Sequence, residues 1–178
     1  LILSGDHIYE MDYRHLIARH VETDADLTIS AVEHPVKDAS HFGVIEVDED
    51  FRVTGFHEKP SVPRSMPSRP DRALISMGIY IFKTDVLIRA LLANCDSAFG
   101  YDFGHNVIPS LVHTHSVHAY DFRDEAHDAP RYWRDIGTID SYYAASMDAL
   151  RARAPLNPPP VQLRASVCGD AHVLHSVV

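Results

Sequence analysis

Positive charge is scarce in this 178-residue chain: Lys+Arg number 16 against 25 Asp+Glu, for a formal net charge of -9, and only Lys37, Lys59 and Lys83 are lysines. A general nucleic-acid binder needs a basic face for phosphates, so that class is excluded. One phosphorylated small molecule needs only a single well-placed cation and is not. Cysteine is nearly absent: Cys95 and Cys168 fit no zinc or redox spacing and point to reduced thiols in a cytosol. No apolar run approaches the roughly 18 residues of a membrane helix. The opening LILSGDHIYE lacks a basic n-region and carries Asp6, so it is no signal peptide. The 13 histidines are scattered, and the densest set, His113, His115 and His118, reads as loop or strand surface rather than a metal site.

What is present is an ordinary packed composition, 46% hydrophobic and 23% charged, with a length that suits one domain. Residues 1–4 form an apolar run closed by Gly5-Asp6 and read as a strand buried on both faces. That strand is already under way at Leu1, and an apolar pattern runs to Val178, so the sequence reads as an internal piece of a longer protein. Tyr13, Leu16, Ile17 and Val21 recur at helical spacing behind Asp12 as cap. Residues 27–32 are the next strand, and strand–helix–strand implies a crossover and a parallel sheet. Residues 44–47 and 51–56 flank an acidic hairpin tip, Asp48-Glu49-Asp50. Residues 61–72 hold three prolines and form a loop. Residues 75–82 return to strand, and Thr84 is expected to cap a helix through Leu91. Residues 102–111 suggest a further helix whose last turn Pro109 would break. Residues 117–122 are strand-like, residues 124–131 a polar loop, and Thr138 caps a helix reaching Leu150. Residues 154–160, APLNPPP, make a stiff linker, after which Val161, Val167 and Val173 repeat every six residues, the period of a β-helix.

Four constellations can carry chemistry. In Ser4-Gly5-Asp6-His7 an acid directly follows the first strand, at the sheet edge where open α/β folds bind ligands; the alternative is a capping Asp. In His57-Glu58-Lys59-Pro60 a rare lysine is held in an extended loop by the following proline, suited to a phosphate monoester; the alternative is a solvated ion pair. Tyr132-Trp133-Arg134-Asp135 supplies a second acid and the sole Trp. Two carboxylates from distant parts of a chain are what a hard cation such as Mg²⁺ uses, against a simple helix-capping Asp. Gly43, and Ser76 with Gly78, sit at strand edges where backbone can approach a ligand.

The order LSGDHIYEMDY, HFGVIEVD, FHEKP, SMGIYIF, DFGHNVIP and YWRDIGT closely resembles the bacterial glucose-1-phosphate adenylyltransferases over about residues 1–150. The resemblance implies an α/β fold, a mostly parallel three-layer sheet of the nucleotide-diphospho-sugar transferase type, followed by the start of a left-handed β-helix. Residues 1–153 would be a partial catalytic domain without its N-terminal nucleotide loop, residues 154–160 the linker and residues 161–178 the truncated β-helix. The implied reaction joins ATP and glucose 1-phosphate into ADP-glucose and pyrophosphate for glycogen synthesis, in a cytoplasmic, allosteric homotetramer with no nucleic-acid or membrane partner. Asp6 and Asp135 would hold catalytic Mg²⁺. Lys59 would bind the sugar phosphate, Glu58 the sugar hydroxyls, and Gly43 and Ser76 would line the sugar pocket. The alternatives are a pyrophosphorylase for another nucleotide sugar and a non-catalytic regulatory subunit, which would not need both acids and Lys59. The 178 residues alone are expected to be inactive.

Overall fold

The structure, a computed structural model, describes residues 1–94, 102–124 and 126–149. The proline-rich linker and the β-helix start expected after residue 153 lie outside these residues, as do both cysteines. Two compact units are distinguished: one holds Leu1–Ser4 and Asp12–Arg131, the other Gly5–Met11 and the described residues from Tyr132.

The first unit is built on a five-stranded sheet in the order β4-β3-β5-β2-β6, from β2 (Leu27–Pro35), β3 (Gly43–Val47), β4 (Val53–Glu58), β5 (Arg72–Phe82) and β6 (Val117–Asp121). The expected mostly parallel sheet is corrected here: among the described strands of this sheet only β2 and β6 run parallel, while β4–β3, β3–β5 and β5–β2 are antiparallel. The cause is the connections. Parallel neighbours need a long connection, and β2 and β6 have one that runs through β3, β4 and β5, whereas β3 and β4 are joined by a tight hairpin. Its tip is fixed by Asp48, whose carboxylate accepts from the N–H groups of Asp50 (3.0 Å) and Arg52 (2.9 Å).

Side-chain alternation along β2 explains the layers. Leu27, Ile29 and Ala31 join a core with Val86 and Ala90 of α2 (Thr84–Ala93) and with Ile108, Leu111 and Val112 of α3 (Ile108–Val112). On the other face Thr28 meets His20 of α1 (Tyr13–Glu22), Nδ1 to Oγ1 2.7 Å, and α1 buries Leu16. The sheet therefore lies between two helical layers, as expected, and Asp12 caps α1 by accepting from the Arg14 N–H.

Several local expectations are corrected. Residues 1–4 are not a strand buried on both faces: Leu1 and Leu3 are exposed and only Ile2 bridges, antiparallel, to Tyr80 of β5. Thr84 is the first residue of α2 rather than its cap. Lys83 takes the cap position because its N–H donates to the Asp26 carbonyl and its Nζ pairs with Asp24 (2.8 Å) and Asp26 (3.2 Å), which fixes where the helix begins. Pro109 does not break a last turn. A π-helical turn at Phe103–Val107 gives way to α3 just before it, so the proline stands in the first turn of α3, where a missing N–H costs nothing. Within the expected polar loop, β7 (Arg123–Asp124) pairs with β8 (Ala129–Pro130).

At the carboxyl ends of β2 and β6 the β7–β8 pair and the proline loop are joined by an ion cluster. Buried Glu33 accepts from Arg69 (2.7 Å) and lies 3.5 Å from Arg123, which also faces Asp121 (3.6 Å) and Asp128 (3.2 Å). Burial pushes the Asp121 carboxyl up to about 6 against the opposing pull of Arg123. An unfolded Asp titrates near 3.8, so between that pH and about 6 the unfolded chain sheds this proton first and stability falls as pH rises. Asp121→Asn removes the penalty. Its urea midpoint should match the parent's near pH 4 and exceed it at pH 7; an equal difference at both values refutes the assignment.

Candidate functional site

The second unit contains a two-stranded antiparallel ribbon of β1 (His7–Tyr9) and β9 (Trp133–Asp135), with His7 opposite Asp135 and Tyr9 opposite Trp133. Directly opposed residues share a face. His7 therefore stands beside Asp135, and its ring meets the diagonal Trp133 edge-on at 5.1 Å. Arg134, pointing the other way, pairs with Asp148 of α4 (Ile139–Ala149), which also accepts from the Tyr132 hydroxyl at 3.2 Å. After β9 the chain turns at Gly137, whose N–H donates to Asp135 Oδ1 at 3.1 Å. Thr138 then starts α4 through a reciprocal cap: its Oγ1 accepts from the Ser141 N–H (3.1 Å) while Ser141 Oγ accepts from the Thr138 N–H (3.2 Å).

Asp6 and Asp135, expected to converge, do so. Together with His7 they offer donor atoms all within 4.8 Å of one another, among the described residues the sole such group of metal-ligating side chains. His7 Nε2 lies 3.6 Å from Asp6 Oδ1 and 3.7 Å from Asp135 Oδ1. Two carboxylates this close repel unless a cation offsets them, and carboxylate with imidazole suits a divalent ion. The expectation that Asp6 follows a parallel strand is corrected: it immediately precedes the antiparallel β1, because residues 1–4 make a single bridge and no parallel ladder. Sequence reasoning missed His7. The signal available was its alternation with Ile8 in a strand whose partner was unknown.

In the first unit, Gly43 of β3 is paired with Glu58, the last residue of β4. A Cβ on Gly43 would lie 2.5 Å from the Phe56 ring and 2.9 Å from Glu58 Oε2, and one on Gly104 would collide with the same carboxylate. Glu58 is thus clasped between two glycine backbones, its side chain 17% exposed, with the 62%-exposed Lys59 Nζ 3.6 Å from Oε1. The extended conformation expected for Lys59 is corrected to left-handed, φ 46°. The following proline disfavours the right-handed helical region, and the Lys59 N–H donates to the Phe42 carbonyl at 3.1 Å, which bends the chain out of β4.

Ser76 is buried in β5 beside a bulge. Ile29 of β2 pairs with Tyr80 and Ala31 with Ser76, so three residues of β5 oppose one of β2, with Gly78 at φ 68°. The bulge brings the Tyr80 hydroxyl to 3.3 Å from Ser76 Oγ, which also accepts from the Gly78 N–H. Tyr80 stacks on Phe103 at 5.7 Å. Burial pushes its phenol up, and the Glu58 and Asp102 carboxylates add to the rise, so the hydroxyl stays protonated. The sequence reading assigned no role to Tyr80, Phe103 or Gly104, although all three lie in its quoted motifs. A separate hollow of about 230 Å³ behind the hairpin has Glu46 already engaged by His57 (2.6 Å) and Arg64 (3.2 Å).

Residues 1–152 match the nucleotidyl transferase family. The chain belongs to that family. It is 48% identical over 157 residues to glucose-1-phosphate adenylyltransferase 2 of Alkalilimnicola ehrlichii, covering 88% of this chain and 37% of the relative. It is likewise 48% identical over 160 residues to glucose-1-phosphate adenylyltransferase 2 of Vibrio cholerae, covering 88% and 39%. The chain thus spans well under half the length of these curated relatives. Among solved structures it resembles HddC from Yersinia pseudotuberculosis, with a TM-score of 0.56 and 25% identity over 80% of this chain and 51% of that one. Nucleotidyl transferases generally work with a divalent metal, and the donor set of Asp6, His7 and Asp135 fits one.

The clasp around Glu58 generates a test. Gly104→Ala should lower stability by about 1–3 kcal/mol, the usual cost of overpacking, and Glu58→Ala should relieve most of that loss because the colliding atoms belong to Glu58. Additive losses in a double-mutant cycle read by urea unfolding would show that the obstacle lies elsewhere.

Proposed function

We propose that the whole protein is a glucose-1-phosphate adenylyltransferase, joining ATP and glucose 1-phosphate into ADP-glucose and pyrophosphate in the cytoplasm for glycogen synthesis. The reaction class is carried by the convergence of Asp6 and Asp135 in a nucleotidyl transferase. The choice of substrates is supported by relatives of that name at 45–48% identity.

In this reading a phosphate oxygen of glucose 1-phosphate attacks the α-phosphorus of ATP and pyrophosphate leaves, with no covalent enzyme intermediate. Both reactants are anions, so the barrier is largely one of charge and alignment. Asp6 and Asp135 would hold Mg²⁺, which when bound would neutralise charge on the nucleotide phosphates. The Lys59 ammonium donates to the sugar phosphate and aims the nucleophile. That ammonium stands 3.6 Å from Glu58 Oε1, so the cation that meets the phosphate and the carboxylate that meets the hydroxyls come from adjacent residues. The Glu58 carboxylate, an acceptor only, takes hydrogen bonds from sugar hydroxyls, and its clasp by Gly43 and Gly104 holds it in place for that task. Gly43 and Ser76 line the sugar pocket. The Tyr80 hydroxyl next to Ser76 gives that pocket a second neutral polar group.

Pyrophosphate release by the full-length protein tests both halves of this reading. Asp6→Asn should lower kcat far more than it raises KM, because charge neutralisation matters most in the transition state; an unchanged kcat rejects the role. Lys59→Ala should raise KM for glucose 1-phosphate roughly ten- to a hundredfold, the worth of a charge-assisted contact of about 1.5–3 kcal/mol, with ATP affinity held. Lys59→Arg should rescue only in part, since a planar fork replaces a point charge. A fall in ATP affinity alone places Lys59 at the wrong substrate.

A further inference from the structure

We infer that His7 is a third ligand of the divalent ion, so that the site is a nitrogen-and-two-carboxylate set that favours Mn²⁺ relative to Mg²⁺. The inference rests on the metal reading above and deepens it. Its geometric basis is the position of Nε2, 3.6 Å from Asp6 Oδ1 and 3.7 Å from Asp135 Oδ1. One ion with bonds of about 2.1–2.2 Å spans ligands roughly 3.0 Å apart at right angles and roughly 4.3 Å apart when opposed. Both observed separations fall between these limits. The ring is placed by the backbone: the register of β1 on β9 sets His7 opposite Asp135, and the edge contact with Trp133 fixes its tilt.

The surroundings suit a ligand. The His7 side chain is only 13% exposed, whereas Asp6 is 62% and Asp135 36% exposed. The imidazole therefore forms the protein-facing wall of the group, and the carboxylates form its open side, where nucleotide oxygens and water complete a coordination sphere. A site of oxygen ligands alone suits Mg²⁺, and replacing one oxygen by imidazole weakens binding of that hard ion more than it weakens binding of Mn²⁺, the first-row transition ion nearest to it in character.

Mn²⁺ binding to the full-length protein, followed by electron paramagnetic resonance, tests the inference without relying on turnover. Bound Mn²⁺ should show a ¹⁴N coupling from imidazole, already visible before any substitution. In His7→Ala and His7→Asn that coupling should vanish, and Mn²⁺ affinity should fall roughly ten- to a hundredfold while Mg²⁺ affinity, read by competition, falls less. A ¹⁴N coupling absent from the parent protein, or retained in both variants, overturns the assignment of His7. The same experiment on Asp6→Asn separates the two readings. If Asp6→Asn weakens Mn²⁺ binding but no nitrogen is seen, the metal site stands and only His7 falls; if Asp6→Asn leaves Mn²⁺ binding unchanged, the metal site itself falls and the inference with it.

Discussion

Strand β5 must pair with β2 along nearly its whole length while carrying extra residues against it, and Gly78 absorbs the mismatch. An L side chain at φ 68° would be strained, so glycine is the residue that lets the strand bulge there. Residues four apart in an extended strand are roughly 13 Å apart. The bulge shortens that interval enough for Tyr80 to reach Ser76. From Tyr80 the order passes to Phe103 by stacking, and from the turn that holds Phe103 to Gly104, which lies against Glu58. The run of contacts from Ser76 through Tyr80, Phe103 and Gly104 to Glu58 thus starts at one irregularity in the central strand.

The ribbon of the second unit works by a different logic. Each step is short-range once the two strands have met: alternation turns Trp133 and Asp135 one way and Arg134 the other, Gly137 closes a turn on Asp135, and Thr138 with Ser141 begins the helix. Arg134 and Tyr132 converge on Asp148, so the face away from the acids is fixed to α4 by charge and hydrogen bonds. His7 and Asp135 are left on the opposite face of the ribbon, beside Asp6.

Features encoded locally were legible in the sequence. Asp12 before a helical stripe, the acidic tip at Asp48 and the Thr138 cap need only neighbouring residues to act, and each is where the pattern places it. The convergence of Asp6 and Asp135 was legible only through motif resemblance, since no periodicity links positions so far apart. Strand direction was not legible. A buried strand reads the same whether its neighbour runs with it or against it, and the β2–β5 partnership is set by core packing of distant segments. The capping of α2 was misread because Thr84 has the better intrinsic cap chemistry, yet Lys83 is anchored to Asp24 and Asp26 from another loop. His7 and Tyr80 were missed for a related reason: each acquires its role from a partner across a strand pair, and a single strand carries no record of its partner.

The meeting of β1 with β9 joins Tyr9 to Trp133 across about 120 residues of intervening chain. Contacts of such sequence separation form late, because loop entropy must be overcome before they return any free energy. The acids therefore depend for their proximity on a fold completed elsewhere. The dependence also runs in reverse. A covalent tie across a loop of that length removes about 4–5 kcal/mol of unfolded-chain entropy, and an ion held by His7 and Asp135, as proposed above, would act as a reversible version of that tie. Chelation would then cost the protein mechanical integrity as well as chemistry: the ribbon would be the seam along which the chain begins to open.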